Sequence, residues 1–431
     1  MFLFGRPLPP GPPRLVIPEL LFEIFRDARL SRRDVSSAAQ VCKAWYYVAD
    51  AILWEDLPSL APLLMLMPWD AWTMAPSRRR VEKQTLTFRR ALRPSDWAHV
   101  FTRSHSVKRL TLFGAPAECV QRAIIACPPP SSLLPRLQTL TLTQVVPRTD
   151  PYATPVTRAF ISMLFTCGSD SFYAHPRSIK LRDCSPSLAH HVLSHPLCAQ
   201  LEDATLDVRL ADLALLTASA TTHFARTLRR LRVHALDGRR GLQRSLVETL
   251  PAFRALTRLA HVEITGPLQL FDADVGALAR AWPELQTLVL TPHATGTSCL
   301  TLASLAPFAR YCPKLEFLAL PLCTLDVPSE SAGHRLHGGT VSSGNLVLVL
   351  WRALGRSDRN YGAHMPTYDP MFLAKLLLSL FPGLLRVSND LAAERVVKGL
   401  DKEKIEDYWD TPVEPGIWDE LERSLTLVRG R

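Results

Sequence analysis

Nine cysteines occur in 431 residues, yet no two form a C-x-x-C pair. Zinc ribbons and fingers need such pairs to close a tetrahedral site, and disulfide-stapled secreted domains show a regular framework that is missing here. Reduced, mostly buried thiols in a cytoplasmic and/or nuclear protein are the expectation. None of the three asparagines (Asn345, Asn360, Asn389) sits in an N-x-[ST] acceptor. No apolar run approaches the ~20 residues of a membrane-crossing helix. The most apolar stretch, Leu57 to Met67, is interrupted by Pro58 and Pro62 and stopped by Pro68. The opening MFLFGRPLPPGPPRL carries Arg6 and five prolines where a secretory leader needs an unbroken apolar core, so neither leader nor membrane partner is expected.

Catalytic signatures are missing as well. There is no G-x-S-x-G elbow, no G-x-x-x-x-G-K-[ST] phosphate loop and no H-E-x-x-H helix, and each of those chemistries needs its residues at that spacing. His337-Gly338-Gly339 lacks a following serine motif. His190, His191 and His195 share one predicted helix, but no carboxylate or cysteine stands at a matching spacing to complete a metal site. A non-enzymatic chain without metal or cofactor is expected.

What is present is leucine and proline. Leucine supplies about one residue in six, and there are 35 prolines, both above ordinary usage. That pair of excesses favours many short, punctuated elements over a few long helices. The net charge is +10, from 50 Lys+Arg against 40 Asp+Glu. Apart from Arg78-Arg79-Arg80 the basic residues are dispersed. Nucleic-acid readers concentrate theirs in a stripe, so no nucleic-acid partner is expected.

Residues 15 to 57 hold the sharpest local signal. In IPELLFEIF, Pro18 suits the first turn of a helix, and Glu19 lies near the positive end of its dipole. Leu20, Leu21, Ile24 and Phe25 follow at i, i+1, i+4 and i+5 and share one face. Asp34 is the expected N-cap of a second helical run. Its apolar positions are Val35, Ala38, Val41, Cys42, Trp45, Val48, Ala49, Ile52 and Leu53, again at helical period. Two or three such helices bury their apolar faces poorly alone, which predicts a packed neighbour or partner.

These residues, read in order, resemble an F-box. Ile17-Pro18-Glu19-Leu20-Leu21, Ile24-Phe25, Asp34-Val35, Val41-Cys42-Lys43-Ala44-Trp45 and Leu53-Trp54 follow the hallmark L-P-x-E-L-L-x-x-I-F, then D, then V-C-x-x-W. Ile17 replaces the usual Leu, and Ser36-Ser37-Ala38-Ala39 is more polar than the common leucine-rich run. LWEDLPSLAPLLMLMP also resembles the stretch after the F-box in many fungal F-box proteins. The resemblance implies a receptor subunit of an SCF ubiquitin ligase. Ile17, Pro18, Leu20, Leu21, Ile24, Phe25, Val41, Cys42 and Trp45 would then supply the face for a Skp-type adaptor, which leads to the cullin and RING subunits. An F-box scaffold acting outside the ligase is the alternative.

Beyond residue 84 a short pattern keeps returning: Leu86-x-Phe88, Leu110-x-Leu112, Leu140-x-Leu142, Ile179-x-Leu181, Leu206-x-Val208, Leu231-x-Val233, Val262-x-Ile264, Leu288-x-Leu290, Leu318-x-Leu320 and Leu346-x-Leu348. A leucine often stands three residues before it, giving L-x-x-L-x-L, the core of a leucine-rich repeat. The expected fold class is therefore α/β: a small helical F-box, then an irregular leucine-rich-repeat-like solenoid of short parallel strands and helices. A doubly wound domain also alternates strands and helices, but no Gly-rich phosphate loop follows any strand. The expected boundaries are a disordered Pro-rich arm (1–14), F-box and linker helix (15–75), repeat array (76–395) and a charged C-terminal tail or cap (396–431). A Gly/Ser-rich insertion is expected at 329–345.

Residues alternating with the apolar strand positions should project from the other face of the sheet. Lys180, Arg182, Arg209, Arg230, Arg232 and His234 are among them and make its middle mostly positive. An acidic or phosphorylated protein segment is the substrate that such a face would hold.

Overall fold

The computed structural model describes residues 17–27, 29–76, 84–114, 116–143, 154–166, 176–209, 224–236, 253–266, 270–292, 298–322, 346–352, 370–388 and 415–430. The predicted Pro-rich arm, Arg78-Arg79-Arg80, the insertion at 329–345 and Trp409 lie outside them.

Three helices open the chain: α1 (Pro18–Phe25), α2 (Arg32–Ala38) and α3 (Lys43–Glu55). The second helical run expected from Val35 to Leu53 is therefore two helices, with a turn over 39–42. Its cap differs too. Ser31 is the N-cap and Asp34 stands at N3, and the two form a reciprocal capping box.

α3 passes without a linker into β1 (Asp56–Leu57), the first strand of an eleven-stranded sheet. A short helix α4 (Ala61–Leu64) and an antiparallel hairpin of β2 (Trp72–Pro76) and β3 (Gln84–Phe88) follow. Then come α5 (Trp97–Ser104), β4 (Arg109–Phe113), α6 (Glu118–Ala126), β5 (Thr139–Thr143), α7 (Thr154–Thr166), β6 (Ser178–Arg182), α8 (Pro186–Leu193), β7 (Asp203–Arg209), β8 (Arg230–Leu236) and β9 (His261–Gly266). The last part holds β10 (Leu270–Phe271), β11 (Thr287–Pro292), β12 (Ser298–Cys299), β13 (Phe317–Leu322), β14 (Leu346–Arg352) and β15 (Leu384–Ser388). The main sheet runs β1-β4-β5-β6-β7-β8-β9-β11-β13-β14-β15, every pair parallel and in chain order. β10 and β12 form a separate parallel pair.

All the predicted L-x-L strands except the first lie in the main sheet. Leu86-x-Phe88 belongs instead to the hairpin, where Trp72 pairs with Phe88 and Met74 with Leu86. The first position of the sheet is taken by Asp56-Leu57, too short to register as a strand in the sequence.

The repeated sequence has a repeated physical cause. The inward apolar residues of the strands join one continuous core, from Leu110 and Leu112 to Leu346, Leu348 and Leu350, and in β7 the register is filled by Ala204 and Leu206. Burial on one side and hydrogen bonding at the strand start fix the register. The carbonyl of Lys108 accepts from both Gln138 and Thr139 N–H, and that of Gln138 from Arg177 and Ser178. Glu202, Arg229, Ala260 and Gln286 continue the same two-donor pattern. Where a leucine stands three residues before the pair it closes a turn, as Leu285 N–H donates to Trp282 O and Leu315 N–H to Cys312 O. Trp282 is fully buried, and its indole N–H donates to the Phe253 carbonyl at 3.1 Å, tying one unit to the previous one. Helix Pro415–Arg429 closes the far end, with Leu421 and Leu425 in the same core. Its Trp418 side chain lies outside the described residues.

Thiol placement is mixed. Cys184, Cys198 and Cys312 are buried, but Cys42 and Cys119 are exposed, so the expectation of mostly buried thiols fails for these two. Burial pushes Cys198 and Cys312 up to about 12, which keeps them inert thiols at neutral pH.

Trp282→Ala removes a large buried ring and orphans the Phe253 carbonyl. Urea denaturation should show a loss of about 3–5 kcal/mol. A second prediction concerns acid. Arg90 follows the hairpin and bridges Asp70 and the buried Asp96, at 2.7 Å to each. Hydrogen bonds from Arg90 hold the Asp96 carboxyl below its usual range, against the opposing effect of burial. A depressed folded value stabilises above the unfolded carboxylate pKa and is lost as pH falls through the folded value. Asp96→Asn should therefore lower stability at neutral pH and flatten its decline below about pH 4. Thermal midpoints across that range measure both effects.

Candidate functional site

The three opening helices sort their apolar residues into two sets. Leu21 and Phe25 are 7% and 5% exposed and close a small core with Val35, Val48 and Ala49. Trp45 is half-buried and meets the Phe25 ring edge-on, with centroids 5.4 Å apart and planes at 69°. On α1, Ile17, Leu20 and Ile24 point the other way, the last two 58% and 55% exposed. Helix geometry explains the split, since Leu20 and Ile24 are four apart and share a face, while Leu21 and Phe25 each lie 100° further round. Val41 is 63% exposed, and Pro18 and Cys42 are exposed beside these apolar positions.

Nine residues are predicted from the sequence for one docking face, and the structure divides them. Ile17, Pro18, Leu20, Ile24, Val41 and Cys42 are at the surface. Leu21, Phe25 and Trp45 turn toward the helical core, where Phe22, Ile52 and Leu53 also pack against Val35, Val48 and Ala49. They shape the face from behind. Sequence reading missed Tyr46 and Tyr47, which are exposed and stack edge-on at 5.8 Å. Their signal was two aromatics in KAWYY that fall off the apolar period of α3.

Polar contacts fasten this helical unit to the sheet. Asp50 on α3 accepts from Arg103 on α5 at 2.5 Å and from the Trp54 indole at 3.1 Å, while the Arg103 guanidinium lies 5.7 Å from the Trp54 ring centre. Glu55 gathers Arg26 at 2.7 Å, Lys108 at 3.7 Å and Arg109 at 3.9 Å. Arg32 donates to the carbonyls of Leu53 and Asp56 and so caps the C-terminal end of α3. An open cleft of about 580 Å³ lies at this junction, between Leu30, Ile52 and Pro58. Its Arg26, Arg32 and Arg109 are all engaged in these contacts.

On the sheet surface away from the helices, the expectation of a mostly positive face needs correction. Arg230 faces Asp203 at 3.5 Å, and Arg232 faces Glu263 at 3.6 Å. Acidic and basic side chains interleave on β7–β9, because carboxylates occupy the same outward register as the arginines. Lys180, Arg182 and His234 are half-buried, and the Arg209 side chain lies outside the described residues. From β11 onward the same face turns apolar. Val289, Phe317, Ala319, Val347 and Val349 form a separate buried cluster there.

Ser162 Oγ lies 2.7 Å from His191 Nε2, and burial moves the His191 pKa down. No cluster of three or more His, Cys, Asp or Glu able to hold a metal ion occurs among the described residues.

Residues 18–57, from the start of α1 to the end of β1, match the F-box-like family model. The chain carries an F-box-like domain. F-box domains generally bind Skp-type adaptors, and the domain points to adaptor interactions of the SCF type. The exposed residues Leu20, Ile24 and Val41 and the buried core behind them all fall within the matched range. Comparison with curated proteins gives no match. No described helix is long and apolar enough to cross a membrane.

Asp50→Ala should test the fastening of the F-box-like domain to the sheet. It leaves Arg103 and the Trp54 indole without their shared acceptor, in a partly buried setting. A loss of about 1–2 kcal/mol is expected in thermal denaturation, and Arg103→Gln on top of it should add little.

Proposed function

We propose that this chain is the substrate-recognition subunit of an SCF-type ubiquitin ligase. Its F-box-like domain docks on a Skp-type adaptor, and through it on the cullin and RING subunits. The sheet surface holds a protein substrate and works by proximity, with no chemistry of its own. We read the sheet as a leucine-rich-repeat-like solenoid, supported by its chain-order parallel strands and the L-x-x-L-x-L pattern. The working compartment on this reading is the cytoplasm, the nucleus or both.

One observation carries the reading. A domain matched as F-box-like exposes Leu20, Ile24 and Val41, with Ile17 just ahead of it, while Leu21, Phe25, Val35, Val48 and Ala49 pack inward. Large apolar side chains held in water by a packed support mark an interaction surface. Direct continuity of α3 with β1 gives that surface a fixed relation to the sheet.

Co-purification of the full chain with a Skp-type adaptor tests it. Leu20→Asp/Ile24→Asp should weaken capture by more than about tenfold, the scale of losing interface anchors, while the thermal midpoint stays near that of the native chain. Failure of the native chain to bind the adaptor would contradict the reading.

A further inference from the structure

The sheet surface holds one place where unmet polar groups converge. Thr141, Lys180, Thr205 and Arg232 stand abreast, since Thr141 pairs with Lys180, Lys180 with Thr205 and Thr205 with Arg232. Neighbouring strands are about 4.8 Å apart, so side chains in such a row are in reach of one another. Arg232 and Arg230 have in-face carboxylates, Glu263 and Asp203. Lys180 is half-buried and, among the described residues, has neither ion pair nor hydrogen bond.

Beside it, Thr205 is only 4% exposed, and its hydroxyl has no hydrogen-bond partner. The Thr143 hydroxyl, two residues along from Thr141 and in register with Arg182, is also buried without one. A buried hydroxyl without a partner and an ammonium half-withdrawn from water both cost free energy. One kind of ligand relieves both. An oxyanion accepts from O–H donors and from the ammonium at once. Asp203 Oδ1 and Asp207 Oδ1 also lack hydrogen bonds; Arg230 faces the other oxygen of Asp203, and Asp207 stands two residues along β7 from Thr205, in register with His234.

We propose that Lys180, with the hydroxyls of Thr141 and Thr205, binds a phosphoryl or carboxylate group carried by a partner protein. Of the six basic residues expected on this face, the site thus rests on Lys180 of β6, the arginines of β8 being paired. That the bearer is a substrate protein rests on the receptor reading above. The anion site itself is tested without the adaptor.

The experiment uses the full chain and compares thermal midpoints in inorganic phosphate and in sodium chloride of equal ionic strength and pH. Phosphate stabilises folded proteins generally by exclusion from their surface, so the readout is the difference between native chain and variant. The native chain and Lys180→Arg should gain about 1–2 °C more than Lys180→Gln or Thr205→Val. Sodium acetate is the second arm. An extra gain in phosphate alone assigns a phosphorylated partner, and an equal gain in acetate assigns a carboxylate side chain. Equal gains by native chain and Lys180→Gln in both salts would overturn the proposal. That result leaves adaptor capture untouched, so the two failures are distinguishable.

Discussion

The whole molecule depends on one repeated constraint: each strand must offer two apolar residues to the helix side in the same register as its neighbour. Leu110 stands beside Leu140, Leu140 beside Ile179, and Leu231 beside Val262, without slippage. A shift by one residue would turn every apolar pair to the opposite face. The carbonyl with two donors at each strand start resists that shift, as does the leucine turn that precedes it. Because each unit buries its apolar face only against its neighbours, no unit is independent of the next.

The F-box-like domain obeys the same constraint. α3 ends at Glu55, and the next two residues are already strand, paired with Arg109 and Leu110. Glu55 and Asp50 then bind cations from the first unit of the sheet. The helical domain is too small to be stable on a core of five buried residues, and its attachment supplies what that core lacks. An adaptor seated on α1 would therefore act on a body already oriented relative to the sheet surface.

Much of this was legible in the sequence, and the failures have physical causes. The L-x-L pairs and their preceding leucines mark the strands because one-sided burial leaves a period of two. Leu86-x-Phe88 has that period as well, but it belongs to a hairpin with its own half-buried side. β1 was invisible because two residues carry no period. Leu20 and Leu21 look alike in sequence, and only the positions of Val35, Val48 and Ala49 decide which turns inward. The interleaved charges were the hardest to see. Arg230 meets Asp203, and Arg232 meets Glu263, across strands 27 and 31 positions apart in sequence, and no local pattern reports such pairs.

The most direct test of the account is amide hydrogen exchange of the full chain with and without a Skp-type adaptor. Binding on the exposed apolar surface predicts added protection over residues 17–25 and 41–47, with the strands of the sheet unchanged. Protection confined to the sheet, or none in the three helices, would contradict the assignment of that surface as the docking face.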